Sequence, residues 1–405
     1  MLGFNFVVSR ELDVIRAGNT FFLFSVVLIL SSALRVGADN FILRHVPSLY
    51  SDNEKPFISG LYIMLAKNCL VLFLVTFPLA FLYFLLSDID NKSIYSVVSL
   101  CAFFHALLFI NSFFIQSSKR VNASLFFNSI LVPLLISVLI LVTDLKVVNI
   151  FLYSIFASLA FSYFFVKNTV FQSKCNYSYY NKNKGEIKFF ACITMLNVCL
   201  QWLPVSLAGF ILDSNFVAGI SVSLRLAMVS TFFLIAINAL MVPSYSREFK
   251  LKRTDKVQDL LNKSSLILFI FTTPVFVLFF IYGEFWLSLF GEDYVSYANC
   301  FRILLISQYV SVLCGSVGYL LQLSGHYKLF LVSLFLSILI MIFSTAGVAL
   351  ISESYTPEMF SFGISIAIIF HNLFCCIFVK RDLNLITVPF LGKLLRPVGS
   401  DFAGS

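Results

Sequence analysis

Charge is scarce in this chain. Of its 405 residues, 12% are Asp, Glu, Lys or Arg, against about 25% in a soluble domain. That shortage excludes a water-soluble globular protein. With 60% hydrophobic residues and a mean hydropathy of +0.94, it leaves a polytopic membrane protein. Metal-type cysteine spacing is also missing. Cys69, Cys101, Cys192, Cys199, Cys314, Cys375 and Cys376 lie inside apolar runs. No C-x-x-C pair is flanked by polar loop, so neither a metal site nor a disulfide framework is expected. The opening MLGFNFVV lacks the basic start of a signal peptide and the roughly 20 apolar residues of a spanning helix.

What is present is a series of eleven apolar segments near 18–36, 57–86, 94–116, 124–143, 148–166, 188–212, 216–242, 264–282, 296–323, 329–351 and 359–379. Each has helix-spanning length. A barrel would show weak alternating strands of about ten residues instead, so the fold class is all-α. The 49 phenylalanines are expected chiefly as lipid-facing bulk.

Loop charge gives an orientation. Assigned alternately to two sides, the loops 37–56, 117–123, 167–188, 243–263, 324–328 and 380–405 carry 20 of the 28 Lys and Arg. The opposite loops carry only Arg10, Arg16, Lys92 and Lys146. The first set is therefore expected in the cytoplasm with the C-terminus. The net charge of +8 then reports orientation and contact with anionic membrane lipid, and no nucleic acid is expected as a partner.

A repeat is visible. VPSLYSDNEK at 46–55 matches VPSYSREFK at 242–250, and TFP at 76–78 matches TTP at 272–274, both at an offset of 196. An offset near half the chain points to duplication, a common way to build transporters. Residues 1–187 form the expected N-terminal lobe, 188–380 the C-terminal lobe and 381–405 a tail. The second lobe has six segments and the first five. Shifted back by 196, segment 188–212 overlaps the chain start, so MLGFNFVV is expected to be the last turns of a first helix, with about 15–30 apolar residues upstream.

The stretch 219–328 carries a resemblance. It holds Gly219, Arg225, Pro243, Phe290-Gly291-Glu292-Asp293-Tyr294, Arg302, Gly315, Gly318 and Gly325-His326-Tyr327-Lys328. In this order and spacing it resembles the second half of the Wzx-type O-antigen flippases, polysaccharide transporters of the multidrug/oligosaccharidyl-lipid/polysaccharide exporter superfamily. RVGADNFILRHVPSLY at 35–50 is similar to the end of the family's second helix, and SRELDVI at 9–15 to the turn after its first, without that turn's glycines. Ser221 stands where Tyr or Ser is usual. The resemblance implies two pseudo-symmetric six-helix lobes, twelve helices in the intact architecture, of which eleven are in this chain.

It also implies a function: alternating-access movement of an undecaprenyl-diphosphate-linked oligosaccharide across the bacterial inner membrane, without catalysis or cofactor. A polysaccharide polymerase and a chain-length regulator would be the protein partners. The alternatives are a transporter of the same superfamily with another cargo, such as lipid II or drugs, and an integral-membrane glycosyltransferase or polymerase. The hook for the enzyme is Asp88-Ile89-Asp90 in an outer loop of about seven residues, too short to build a catalytic site of the usual size.

The four intramembrane cations are Arg35, Lys67, Arg225 and Arg302, and no carboxylate sits mid-segment; Asp39, Asp213 and Glu284 fall near segment ends. A cavity cation lowers the cost of moving a diphosphate through a low dielectric. Each also has a plainer reading, as a packing ion pair or a snorkelling side chain. His105 and His371 are candidate proton relays or simply hydrogen-bonded packing residues. Asn197, Gln201 and Trp202 on one helix could face a sugar, or could bond helix to helix.

Overall fold

The architecture comes from a computed structural model that describes residues 1–51, 54–86, 92–170, 175–351 and 355–388. Asp88 and Asp90 lie outside the described residues, as does most of the tail 381–405. Among the described residues, every regular element is helical. Eleven helices there are long and apolar enough to cross a membrane, one for each expected segment.

In chain order the main helices are α1 (Leu2–Glu11), α2 (Val14–Arg35), α3 (Ala38–Ser51), α4 (Lys55–Leu86), α5 (Lys92–Ser117), α6 (Val121–Val142) and α7 (Val147–Val170). There follow α8 (Lys184–Ile211), α9 (Ser214–Phe249), α10 (Thr254–Ile281), α11 (Ala298–Cys314), α12 (Tyr327–Gly347) and α13 (Pro357–Leu383). Phe164, Phe210 and Phe232 each expose more than half of their surface, as lipid-facing bulk should. Pro133 has no amide hydrogen to give to the turn before it, and α6 passes through a π turn at Phe126–Leu131 there. Helix α13 begins with Pro357 behind Thr356, whose hydroxyl accepts from the amide of Met359.

The basic loops differ from expectation. Residues 38–51 form helix α3 rather than loop, and 243–263 is taken up by the end of α9 and the start of α10. Their charged residues lower the hydropathy without breaking the helix, because Arg, Lys and Glu are good helix formers. Segment 296–323 is interrupted after Cys314 by Gly315, at φ 71°, before a short helix Val317–Leu323.

The chain divides into two compact units, Met1–Ala218 and Gly219–Ser405. The division falls later than the lobe boundary expected at 187/188, because α8 packs on α2 and α3 of the first unit. In that unit α5 is central, with α2, α3, α4 and α7 around it, while α1 packs on α6 and α2. In the second unit α13 packs on α11 and α12, and α10 on α9 and α11.

One turn occurs twice. Helix α1 ends at Leu12 in extended conformation, followed by Asp13 and α2; helix α8 ends at extended Leu212, followed by Asp213 and α9. In both, the leucine amide donates four residues back, to Val8 O and Ala208 O, and the aspartate carbonyl accepts from the residue four ahead, Ala17 and Val217. The offset is 200 here and 196 at Pro47 and Pro243, so the second copy is about one helical turn shorter. Each turn touches the other: a Cβ at Gly18 would lie 1.9 Å from the Ser214 carbonyl, and Ser214 Oγ donates to Asn19 Oδ1 at 2.9 Å.

Candidate functional site

Helix α2 stops because Val36 and Gly37 adopt left-handed backbone, at φ 47° and 70°. A β-branched residue in that region is uncommon and strained. Gly37 permits the break for a second reason. A Cβ there would sit 2.1 Å from the backbone nitrogen of Ala191, so α8 crosses directly over it. Helix α3 then continues among α4, α5 and α8. Arg35 is therefore buried inside the bundle.

Four residues past Arg35 comes Asp39. Arg35 Nε and Asp39 Oδ1 are 3.2 Å apart, and both side chains are buried. The Arg35 guanidinium lies 4.2 Å over the Phe109 ring of α5. One turn earlier on α5, the His105 ring lies 4.6 Å from Phe109, and His105 Nδ1 bonds Ser31 Oγ of α2 at 2.9 Å. His105 is near the middle of the span Ser96–Ser117. The break thus gathers a cation, a carboxylate, an imidazole and a hydroxyl at membrane depth. Charged groups there are costly and usually functional. Asp39 lies just past the end of α2, near the segment end as expected, and is buried there.

Arg225 is buried in α9, one residue pair before the 3-10 turn Met228–Thr231, and its Nη1 donates to Met228 Sδ at 3.4 Å. Arg302 is a clamp. It meets Glu284 Oε1 at 3.3 Å and donates to the Phe280 carbonyl and Asn299 Oδ1. Lys67 is exposed on α4. On α8, Asn197 and Gln201 share an exposed face, with Asn197 Nδ2 donating back to Ile193 O. Trp202 turns inward, its ring 5.4 Å from Phe24, so the expected trio is split between two faces. His371 bonds Ser333 Oγ at 3.2 Å beside Phe330.

The sequence reading missed Ser31, Phe109 and Asp39 as a partner. It also missed a relay in which Tyr62 OH donates to Asn111 Oδ1 and Asn111 Nδ2 to Ser162 Oγ. The closeness of Arg35 and Asp39 in the chain was the available signal, hidden by reading 37–56 as loop.

This arrangement of spanning helices in two units has structural likenesses. An inward-facing multidrug resistance MATE family transporter of the MOP superfamily superposes with a TM-score of 0.72 at 14% identity, covering 95% of this chain and 93% of its own. This is the MATE transporter fold. Lipid II flippase MurJ in an inward closed conformation shares it, with a TM-score of 0.65, 14% identity and coverage of 91% and 87%. So does a MOP superfamily transporter from Pyrococcus furiosus described as having a binding pocket of reversed polarity, with a TM-score of 0.65, 15% identity and coverage of 95% and 91%. Residues 191–353 match the MatE family model, a region containing all the motifs of 219–328. No curated protein matches the sequence.

Proposed function

We propose that this chain is a transporter that moves an undecaprenyl-diphosphate-linked oligosaccharide, the O-antigen repeat unit, across the bacterial inner membrane by alternating access. The observation that carries the reading is a buried arginine in each half, Arg35 beside the α2–α3 break and Arg225 beside the 3-10 turn of α9. Guanidinium suits bidentate contact with phosphate, and a diphosphate is the part of such a cargo whose burial costs most. The motifs of 219–328 and the fold shared with a lipid II flippase support the same cargo class. In this reading the basic loops lie in the cytoplasm, and Asn197 and Gln201 are the amides available to a sugar.

The test is complementation. Expression in a flippase-deletion strain of the cognate polysaccharide background is expected to restore surface polysaccharide, and Arg225→Ala to abolish restoration at unchanged membrane level. Failure of the unsubstituted chain would overturn the cargo assignment. A second reading, drug export coupled to a cation, draws on buried Asp39, since an antiporter needs an internal carboxylate as its ion site. Drug resistance conferred without polysaccharide restoration would select it.

A further inference from the structure

Helix α13 ends at Asn384, which turns the chain back in left-handed conformation at φ 53° and ψ 29°. The next residues do not leave the bundle. Leu385 is 2% exposed and Thr387 5%. Between them, the backbone of Ile386 is gripped on both sides by one side chain. Gln258 Nε2 of α10 donates to Ile386 O at 2.8 Å, and Ile386 N donates to Gln258 Oε1 at 2.8 Å. Gln258 is itself held by Asn262, one turn on, at 2.9 Å. Thr387 Oγ1 rests 3.5 Å from Cys376 Sγ.

Helix packing joins α10 to α9 and α11, and α13 to α11 and α12. The Gln258–Ile386 fork adds a direct tie between α10 and the end of α13. We propose that Asn384–Thr387 is a releasable latch that closes the basic-loop end of the second unit by tying α10 to α13. Its hold is two neutral hydrogen bonds and two buried side chains, few enough to break and remake in a conformational cycle.

The first unit shows the same arrangement independently. Chain following α7 returns to the first turns of α4. Ser59 Oγ donates to Val170 O, Asn176 N donates to Pro56 O at 3.0 Å, and a Cβ at Gly60 would lie 2.1 Å from Asn176 O. Further along, Asn68 Nδ2 donates to Tyr180 OH. In each half, the chain at the end of the last helix fastens to the start of an earlier one, α4 in the first half and α10 in the second. Different side chains serve in the two places, so the tie recurs without the residues that make it.

The test uses the full chain in lipid, with hydrogen exchange of the 384–388 peptide and alkylation of Cys376 by N-ethylmaleimide. Protection of the peptide is expected in the unsubstituted protein. In Gln258→Ala, its exchange and the alkylation of Cys376 should both accelerate about tenfold, the effect of losing two such hydrogen bonds. A chain ending at Leu383 keeps Gln258 and should alkylate at least as fast. Alkylation of buried Cys101, in the first unit, must stay slow and reports intact folding. An unprotected 384–388 peptide in the unsubstituted protein overturns the latch. So does unchanged Cys376 alkylation in the chain ending at Leu383.

Discussion

Asp39→Ala is expected to destabilise the protein by about 3–5 kcal/mol, because it leaves the Arg35 charge buried without its carboxylate. Arg35→Ala should cost a similar amount by stranding Asp39. The pair Arg35→Met and Asp39→Leu together should recover most of that loss, since apolar residues of similar volume remove both charges and their desolvation cost. Thermal melting of the purified protein in detergent, followed by loss of the monodisperse species, reads all four forms. Equal melting of Asp39→Ala and the unsubstituted protein would show that the pair does not hold the break. The double variant also separates structure from transport: folded and unable to complement, it would place the charges in the transport cycle itself.

Gly37→Ala should be among the most damaging single substitutions in the first unit, at about 4 kcal/mol or more. Two costs add. The left-handed backbone at φ 70° penalises any Cβ by about 1–2 kcal/mol. The new carbon would also lie 2.1 Å from Ala191 N and 2.5 Å from its Cα, and backbone cannot rotate out of the way as a side chain can. Gly325→Ala isolates the first cost, because Gly325 has φ 87° and nothing within 4 Å of its added carbon. The same melting assay should show Gly325→Ala losing only about 1–2 kcal/mol. Similar losses in the two variants would mean that α8 does not press on the break.

The eleven spans were readable because hydropathy over a membrane's thickness is a strong signal. The extent of the helices beyond the spans was not. Arg44, His45 and Glu54 dilute the apolar signal around α3, yet nothing in 38–51 except Pro47 opposes a helix. Losing α3 hid the most concentrated polar centre of the first unit, since Arg35 and Asp39 sit on two helices that the left-handed turn at Val36 and Gly37 brings together. His105 was legible as a residue and illegible as a neighbour, because Ser31 is one of many serines in apolar runs. Trp202 follows Gln201 directly, and about 100° of helical rotation was enough to part them. Arg302 was legible as a cavity candidate, an ion pair or a snorkelling side chain, but its acid partner Glu284 lies in the short helix Gly283–Ser288, too far along the chain for spacing to reveal.

The twin Leu-Asp turns make α8 the counterpart of α1, and so the opening helix of the second copy. Its packed surface is nevertheless in the first unit. The first unit thus holds both opening helices, α1 and α8. In a dimer of separate chains, an element that belongs to one copy and packs in the other would be a domain swap. Here nothing is given in return, because α1 also packs in the first unit, and the peptide chain itself makes the one-way transfer permanent.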